Sequence, residues 1–514
     1  MNKYQKLASN TLIFAIGSFG AKLLSYFLVR FYTGCMTTED YGIAEMLQQS
    51  GNLIYPVVTL SMADALIRFG LDKAYDKKQI YTTAVTSTLC GLAVLAAFMP
   101  LIGSIKMFSG YSVLLLVYCF FSSFKQLTAS FIRARGLVKL FALDGIMSTL
   151  ITVISNIILL KVFDFGVTGF ICSIIISDAL SLLGLFVIAD LHKYIDLKSL
   201  DKTLFKKMVK YSAPLIPTYV LWWITSASDR WFVIEMVSEH DNGIYSAAYK
   251  IPNLLMVVTT LFYQAWQMSA IENKDDKGLA KFYTQVYSAY SSLMFMGAAG
   301  LIMIVKPLTY IMVDKDPVKN FTFAYHYTPI LVIAMIFQCM CQFLSSVYNV
   351  KKKSMNSMLT SLVAAVVNIG LNFLLIPHWG VYGAAIATAA AYFACFAVRI
   401  IDTRSYIKFN AGFFKLFVNI VVVCYMALVA ITEPKLTYVQ LIVLFIVTVV
   451  FNFDAILSTL RKILSRKLKK APPKAEQPEI KEMPAENIPE EEIPEGRNIV
   501  MTTREPDDES ERTD

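Results

Sequence analysis

Little of what marks an enzyme or a secreted domain is present in this chain. Its 514 residues contain no HExxH, no C-x-x-C and no glycine-rich loop leading into Gly-Lys-Ser/Thr, so neither a zinc centre nor a nucleotide-phosphate cradle is expected. Of its eight cysteines, Cys90, Cys119, Cys172, Cys339, Cys341, Cys395 and Cys424 fall inside apolar runs and only Cys35 lies near a loop, which excludes a disulfide framework. No small-residue cleavage site follows the first apolar run, which therefore reads as a retained span. The longest outer loop, near 306–323, is too short for a catalytic domain. These absences predict a protein that is not an enzyme and carries no cofactor and no metal.

What dominates instead is apolar sequence. Fourteen stretches are long enough to cross about 30 Å of hydrocarbon, roughly 20 residues each. They lie near 10–33, 42–67, 81–103, 111–132, 140–160, 166–189, 213–236, 243–270, 282–305, 324–349, 355–376, 380–400, 411–431 and 437–456. The even-numbered loops are basic: Arg68 to Lys78, Arg133 to Lys139, Lys193 to Lys210, Lys274 to Lys281, Lys351 to Lys353, and Arg399 to Lys408. The odd-numbered loops hold only Lys106, Lys161, Lys306, Lys315, Lys319 and Lys435. Lysine and arginine bias in short loops sets orientation. Both termini are accordingly expected on the cytoplasmic side of an inner or plasma membrane, with an even number of spans.

The net charge of +9 conceals a split, because residues 471–514 carry fourteen acidic against five basic side chains and leave the rest near +18. The basic excess belongs to the cytoplasmic loops, where anionic lipids attract it, and does not imply nucleic-acid binding. Within 198–210, Leu200, Leu204, Phe205 and Met208 alternate with Lys202, Lys206, Lys207 and Lys210, as in a helix lying in the membrane interface or a linker with solvated lysines. The last 44 residues, rich in Pro and Glu, cannot bury enough surface to fold.

A diverged repeat organises the chain. Gly42, Ile43, Asn52 and Leu53 match Gly243, Ile244, Asn253 and Leu254 at a shift of 201; Ser130, Leu143, Asn156 and Leu159 match Ser346, Leu359, Asn372 and Leu375 at a shift of 216; and Gly166-Val-Thr-Gly169 meets Gly380-Val-Tyr-Gly383. Six helices per copy insert with the same orientation, so a pseudo-twofold axis runs along the membrane normal and a cavity between the bundles can open to either side. The expected layout is an all-α polytopic membrane protein: a first bundle at 1–192, an amphipathic linker at 193–212, a second bundle at 213–405, an additional helix pair at 406–457, a basic amphipathic segment at 458–470, and an acidic tail at 471–514.

Charges inside the membrane are the candidate functional residues, each costing about 2.5–3.5 kcal/mol at a helix centre unless paired or facing water. Lys22, Tyr26 and Arg30 are spaced i, i+4, i+8 and form one polar stripe on the first helix. Lys125 and Lys250 add to a cationic set, while Glu45, Asp178 and Asp229 are candidates for ion coupling. Asp64 and Arg68, four apart, are expected to pair locally, and Arg230 to snorkel. Glu39-Asp40 and the matching Glu239-His240-Asp241 read as acidic first turns of helices. In the repeat alignment Lys22 faces Trp223, Arg30 faces Trp231, Lys250 faces Gln49 and Glu45 faces Ser246. Charges that depart from the shared scaffold point to a ligand, and their cationic majority to an anionic one.

Several segments resemble a known family: TEDYG after the first helix, DRWFV at 229–233, GIYSAAYKIPN at 243–253 and NFLLIPHWGVYGAAIAT at 372–388. They look like the polysaccharide flippases of the multidrug/oligosaccharidyl-lipid/polysaccharide exporter superfamily, over roughly residues 5–460. The resemblance implies outward translocation of an undecaprenyl-pyrophosphate-linked oligosaccharide by alternating access, beside a polysaccharide polymerase or glycosyltransferases as partners. Fourteen spans are similar to the lipid II flippases, whose second helix keeps a cavity arginine; here that helix offers Glu45, which points to another lipid-linked glycan. The other reading is a small-molecule or drug cation antiporter of the multidrug-extrusion branch.

Overall fold

The computed structural model describes residues 28–469, except 73, 106–107, 273–277 and 352. By internal contacts the chain divides into Met1–Lys462 and Ile463–Asp514, and the contacts described below lie within the first unit. The described residues contain helices and no strand. A helix described over 28–35 (α1) leads into α2 (Thr38–Val58) and α3 (Met62–Gly70), which meet at a 54° bend. There follow α4 (Lys77–Gly103), α5 (Ser112–Ala134), α6 (Val138–Asn156, continued by a π-helical Ile157–Val162) and α7 (Gly166–Ile188). The linker helix α8 (Lys202–Ser212) precedes α9 (Ile216–Met236), α10 (Glu239–Ala248), α11 (Asn253–Glu272), α12 (Leu279–Met303), α13 (Val305–Met312) and α14 (Thr328–Lys351). The last three are α15 (Ser354–Tyr406), α16 (Phe413–Thr432) and α17 (Thr437–Lys469).

Among the described residues nine helices are long and apolar enough to cross a membrane, or ten with the bent pair α2–α3. One of these is α15, which holds two of the expected spans and is broken at Gly380 by a non-helical φ of 53°. The first expected span lies mostly outside the described residues, and α9 and α11 are not among the nine. Two expected spans are discontinuous: Pro56 withdraws an amide before the α2–α3 bend, and Pro252 sits in the turn between α10 and α11.

The packing is that of a membrane protein, with polar groups buried within an apolar core and large apolar side chains exposed on the outside. Asn156, Asn368, Asn372, Asp229 and Arg399 are fully buried, whereas Val94, Phe98, Leu150, Ile154, Phe373 and Leu374 are exposed. With no water in the hydrocarbon core, buried polar groups must find partners within the bundle. Asn156 donates to Tyr32 at 3.0 Å and accepts from Ser173 at 2.8 Å; in α16 and α17 the amides of Asn419 and Asn452 exchange hydrogen bonds at 3.2 and 2.7 Å.

The repeat is visible in local geometry. Thr37 caps α2 through the Asp40 amide at 3.1 Å, and Ser238 caps α10 through the Asp241 amide at 3.0 Å, 201 residues later; each cap contributes about 1 kcal/mol. Gly166 and Gly380 both take positive φ, 49° and 53°, ahead of the equivalent helices. A Cβ on Gly169 would lie 3.2 Å from the Leu159 carbonyl oxygen, and one on Gly383 would lie 2.5 Å from that of Leu375. Both matched glycines therefore let one helix close on the helix before it.

Between the copies, α2 packs on α10. A Cβ on Gly243 would stand 1.9 Å from the Thr38 carbonyl oxygen, and one on Gly42 2.9 Å from the Gly243 nitrogen. Asn242 donates to the Gly42 carbonyl at 3.1 Å, and His240 meets Thr38 at 2.5 Å and Glu39 at 3.1 Å. These contacts form a backbone-to-backbone seam at the end of the fold that the lysine pattern assigns to the outside.

That assignment has a direct test. Single cysteines at Lys78, exposed at the start of α4, and Val318, 87% exposed after α13, in a cysteine-free background should label oppositely with a membrane-impermeant thiol reagent. Equal labelling from outside would overturn the orientation.

Candidate functional site

Four of the candidate residues converge. A cavity of about 420 Å³ is lined by Glu45 from α2, Lys125 from α5, Asp178 from α7 and Lys250 from the turn joining α10 to α11, together with Tyr32, Gln48, Ser148, Thr149 and Thr152. The broken helix places Lys250: its backbone has left α10, and its side chain crosses to the first repeat. Its ammonium lies 2.5 Å from Glu45 and 5.9 Å from the centre of the Tyr41 ring. One turn of α5 aligns Ser122 with Lys125, and both reach Asp178, the lysine at 3.2 Å.

The two pairs are arranged alike. Lys125 and Lys250 keep 26% and 24% of their side chains exposed, while Asp178 and Glu45 keep 10% and 4%. The lysine side chains are thus more exposed than the carboxylates they pair with, and all four residues line the cavity. An intramembrane cation is tolerated on these terms, paired on one side and wet on the other.

A second, smaller cavity of about 260 Å³ adjoins the first and shares Lys125 and Gly145 with it. It adds Asp144, whose carboxylate accepts a hydrogen bond from Ser181, and Arg133. Sequence reasoning missed Asp144. Its signal was available, a carboxylate inside an apolar run, but its place near the end of α6 resembles that of an ordinary boundary charge. Together the two cavities hold Lys125, Lys250 and Arg133 against Glu45, Asp144 and Asp178.

The remaining candidates go elsewhere. Lys22 and Tyr26 lie outside the described residues. Arg30 is exposed, donates to the Ile311 carbonyl at 3.1 Å in α13, and does not line the cavity. Asp229 is buried in the second repeat, where one oxygen accepts from Tyr245 and Tyr249 at 2.7 Å each and from Thr388 at 3.0 Å. Four hydrogen bonds, counting the Arg230 amide at 2.9 Å, hold that carboxylate without an open face. Two local expectations are corrected. Asp64 takes its hydrogen bond from Tyr219 of α9 at 3.0 Å, and the expected Arg68 ion pair is not formed. Arg230 does not snorkel: it is buried over the Tyr249 ring and bonds to Ser226 and Ser246, because the α9–α10 packing supplies acceptors closer than the interface.

Outside the spans, Lys306 bonds Glu433 at 2.6 Å, and this hydrogen bond holds the Glu433 carboxyl below its ordinary range and raises the Lys306 ammonium. It fastens the start of α13 to the α16–α17 loop and is remote from the cavity.

The cavity expected between the two bundles is instead lined almost wholly by the first repeat, with Lys250 the one lining residue from the second. The overall fold recurs in solved structures. The lipid II flippase MurJ in an inward closed conformation aligns with a TM-score of 0.63 at 15% identity, covering 89% of this chain and all of that one. An inward-facing multidrug-resistance MATE transporter of the MOP superfamily aligns at 0.63 and 14%, covering 76% and 94%. A point mutant of the Vibrio cholerae MATE transporter VcmN aligns at 0.55 and 14%, covering 78% and 97%. No curated protein matches in sequence. The family described as polysaccharide biosynthesis protein matches residues 7–267, and the MatE family matches residues 214–374. This chain belongs to the polysaccharide biosynthesis protein family, and its fold is similar to that of the MATE and MurJ structures.

Proposed function

We propose that the protein is a flippase that moves an undecaprenyl-pyrophosphate-linked oligosaccharide from the inner to the outer leaflet of the bacterial cytoplasmic membrane for cell-surface polysaccharide export. The observation that carries this reading is the pair of lysines lining the cavity, each more exposed than the carboxylate it pairs with. A pyrophosphate entering such a cavity meets Lys125 and Lys250 first and draws them from Asp178 and Glu45. In this reading 1–192 and 213–405 are the rocking bundles, 193–212 is their cytoplasmic linker, and 406–457 is an added pair. Transport runs outward because a diester with about two negative charges gains about 2.3 kcal/mol per charge per 100 mV of inside-negative potential.

The buried carboxylates support a second reading, a drug cation antiporter, in which an organic cation would displace the lysines and bind Glu45 and Asp178 directly. The MatE match over residues 214–374 also favours it. The two readings separate in a strain lacking its own polysaccharide flippase. Wild-type protein should restore surface glycan, and Lys125→Gln at normal abundance should lower that recovery by at least tenfold, a loss of about 1.4 kcal/mol. Drug resistance without glycan recovery would sink the flippase reading.

A further inference from the structure

A cavity larger than the charged one lies elsewhere in the first repeat. This groove of about 820 Å³ runs between α2, α4 and α8, from Leu200, Lys202 and Phe205 past Thr83, Thr86 and Ser87 to Val94, Leu95 and Phe98. It shares no lining residue with the charged cavity. Along α4 its lining runs from Thr83 to Phe98, about 22 Å at helical rise, some three quarters of the hydrocarbon thickness.

Its two ends differ chemically. The far end is apolar and open, with Val57, Val94 and Phe98 exposed. The near end carries three hydroxyls on one face of α4, Thr83, Thr86 and Ser87, and all three lack any hydrogen-bond partner although Thr83 is 2% and Ser87 8% exposed. At the mouth stands Lys202, exposed and without a carboxylate partner among the described residues; the adjacent Asp201 is occupied in capping α8 through the Thr203 amide at 2.7 Å. The groove wall is also unusual backbone: Leu60 and Ser61 hold φ of 50°, and a Cβ on Gly91 would stand 1.9 Å from the Val58 carbonyl. Close approach at Gly91 fixes α4 to the bend, while the left-handed turn keeps the groove open beside it.

We propose that this groove is a binding site for one anionic phospholipid. An acyl chain lies along Val94 to Phe98, and its headgroup charge meets Lys202 at the mouth. The lipid bridges α8, the connection between the repeats, to α2 and α4, and so ties the relative motion of the halves to membrane composition. A transported lipid-linked substrate is disfavoured as occupant because its headgroup in the charged cavity and its tail in this groove would sit in separate cavities.

The test uses the purified full-length protein with photoreactive phosphatidylglycerol, and phosphatidylcholine bearing the same photoreactive chain. Phosphatidylglycerol should cross-link to α4 peptides. Val94→Trp or Cys90→Phe, both filling the groove from exposed positions, should remove the cross-link. Lys202→Gln should lower phosphatidylglycerol capture about fivefold, the factor for one lysine at an anionic surface, and leave phosphatidylcholine capture unchanged. Equal capture of the two lipids, or capture that survives the filled groove, would overturn the proposal. Displacement by undecaprenyl phosphate at lower concentration than phosphatidylglycerol would also overturn it, by making the carrier tail the occupant. None of these outcomes depends on which solute the protein transports.

Discussion

Gly243→Ala should stop transport and expose the charged cavity to the outer side. At this position even the smallest side chain places a carbon 1.9 Å from the Thr38 carbonyl oxygen, and backbone cannot move aside as a flexible side chain could. Relief requires α10 to withdraw from α2, breaking the Asn242–Gly42 and His240–Glu39 contacts with it. Overpacking of this kind costs about 1–3 kcal/mol, enough to shift a closed-to-open equilibrium by one to two decades. Gly42→Ala, at 2.9 Å, should act in the same direction and less strongly. A cysteine at Thr149, which lines the cavity, reports the opening. Labelling from outside with an impermeant thiol reagent should rise at least tenfold in the Gly243→Ala background while glycan recovery falls. Unchanged labelling with normal transport would show that the seam is not a gate.

The physical reason for what was legible in the sequence is that hydropathy and charge bias act on whole segments, whereas pairing acts on single atoms. Apolar runs placed α4, α5, α7, α12, α14 and α16 to within a few residues, and the repeat identified Gly42 and Gly243 as matched positions. It could not show that the two glycines touch, since a match in sequence is silent about the axis that relates the copies. Three of the four segments that carried the family resemblance meet around one buried carboxylate. Asp229 from DRWFV is held by Tyr245 and Tyr249 from GIYSAAYKIPN and by Thr388 from the last motif. These motifs thus build a hydrogen-bonded lock of the second repeat, apart from the charges that line the cavity. Glu45 and Asp178 were separated from Lys250 and Lys125 as two functional classes; in space each carboxylate is the partner of a lysine. Partners 205 and 53 residues apart carry no periodic signature.

That pairing changes what a lysine substitution means. Lys250→Gln alone should abolish glycan export, and the result would be ambiguous, because it leaves Glu45, 4% exposed at its side chain, as an unpaired buried charge. Breaking such a pair costs about 3–5 kcal/mol whether or not the lysine touches substrate. Glu45→Gln with Lys250→Gln removes both charges and most of that penalty, so the double variant should recover the thermal stability lost in the single one. Transport should remain at least tenfold below wild type in the double variant, since the ammonium proposed to receive the pyrophosphate is still missing. The exchanged pair, Glu45→Lys with Lys250→Glu, keeps the salt bridge and reverses its order, placing the carboxylate at the more exposed position. A stable, membrane-inserted exchange variant without glycan export would show that the position of the cation matters beyond its pairing. Full export by the neutral double variant would reduce the pair to a strut between the repeats, and recognition of the anionic ligand would then rest on Lys125 alone.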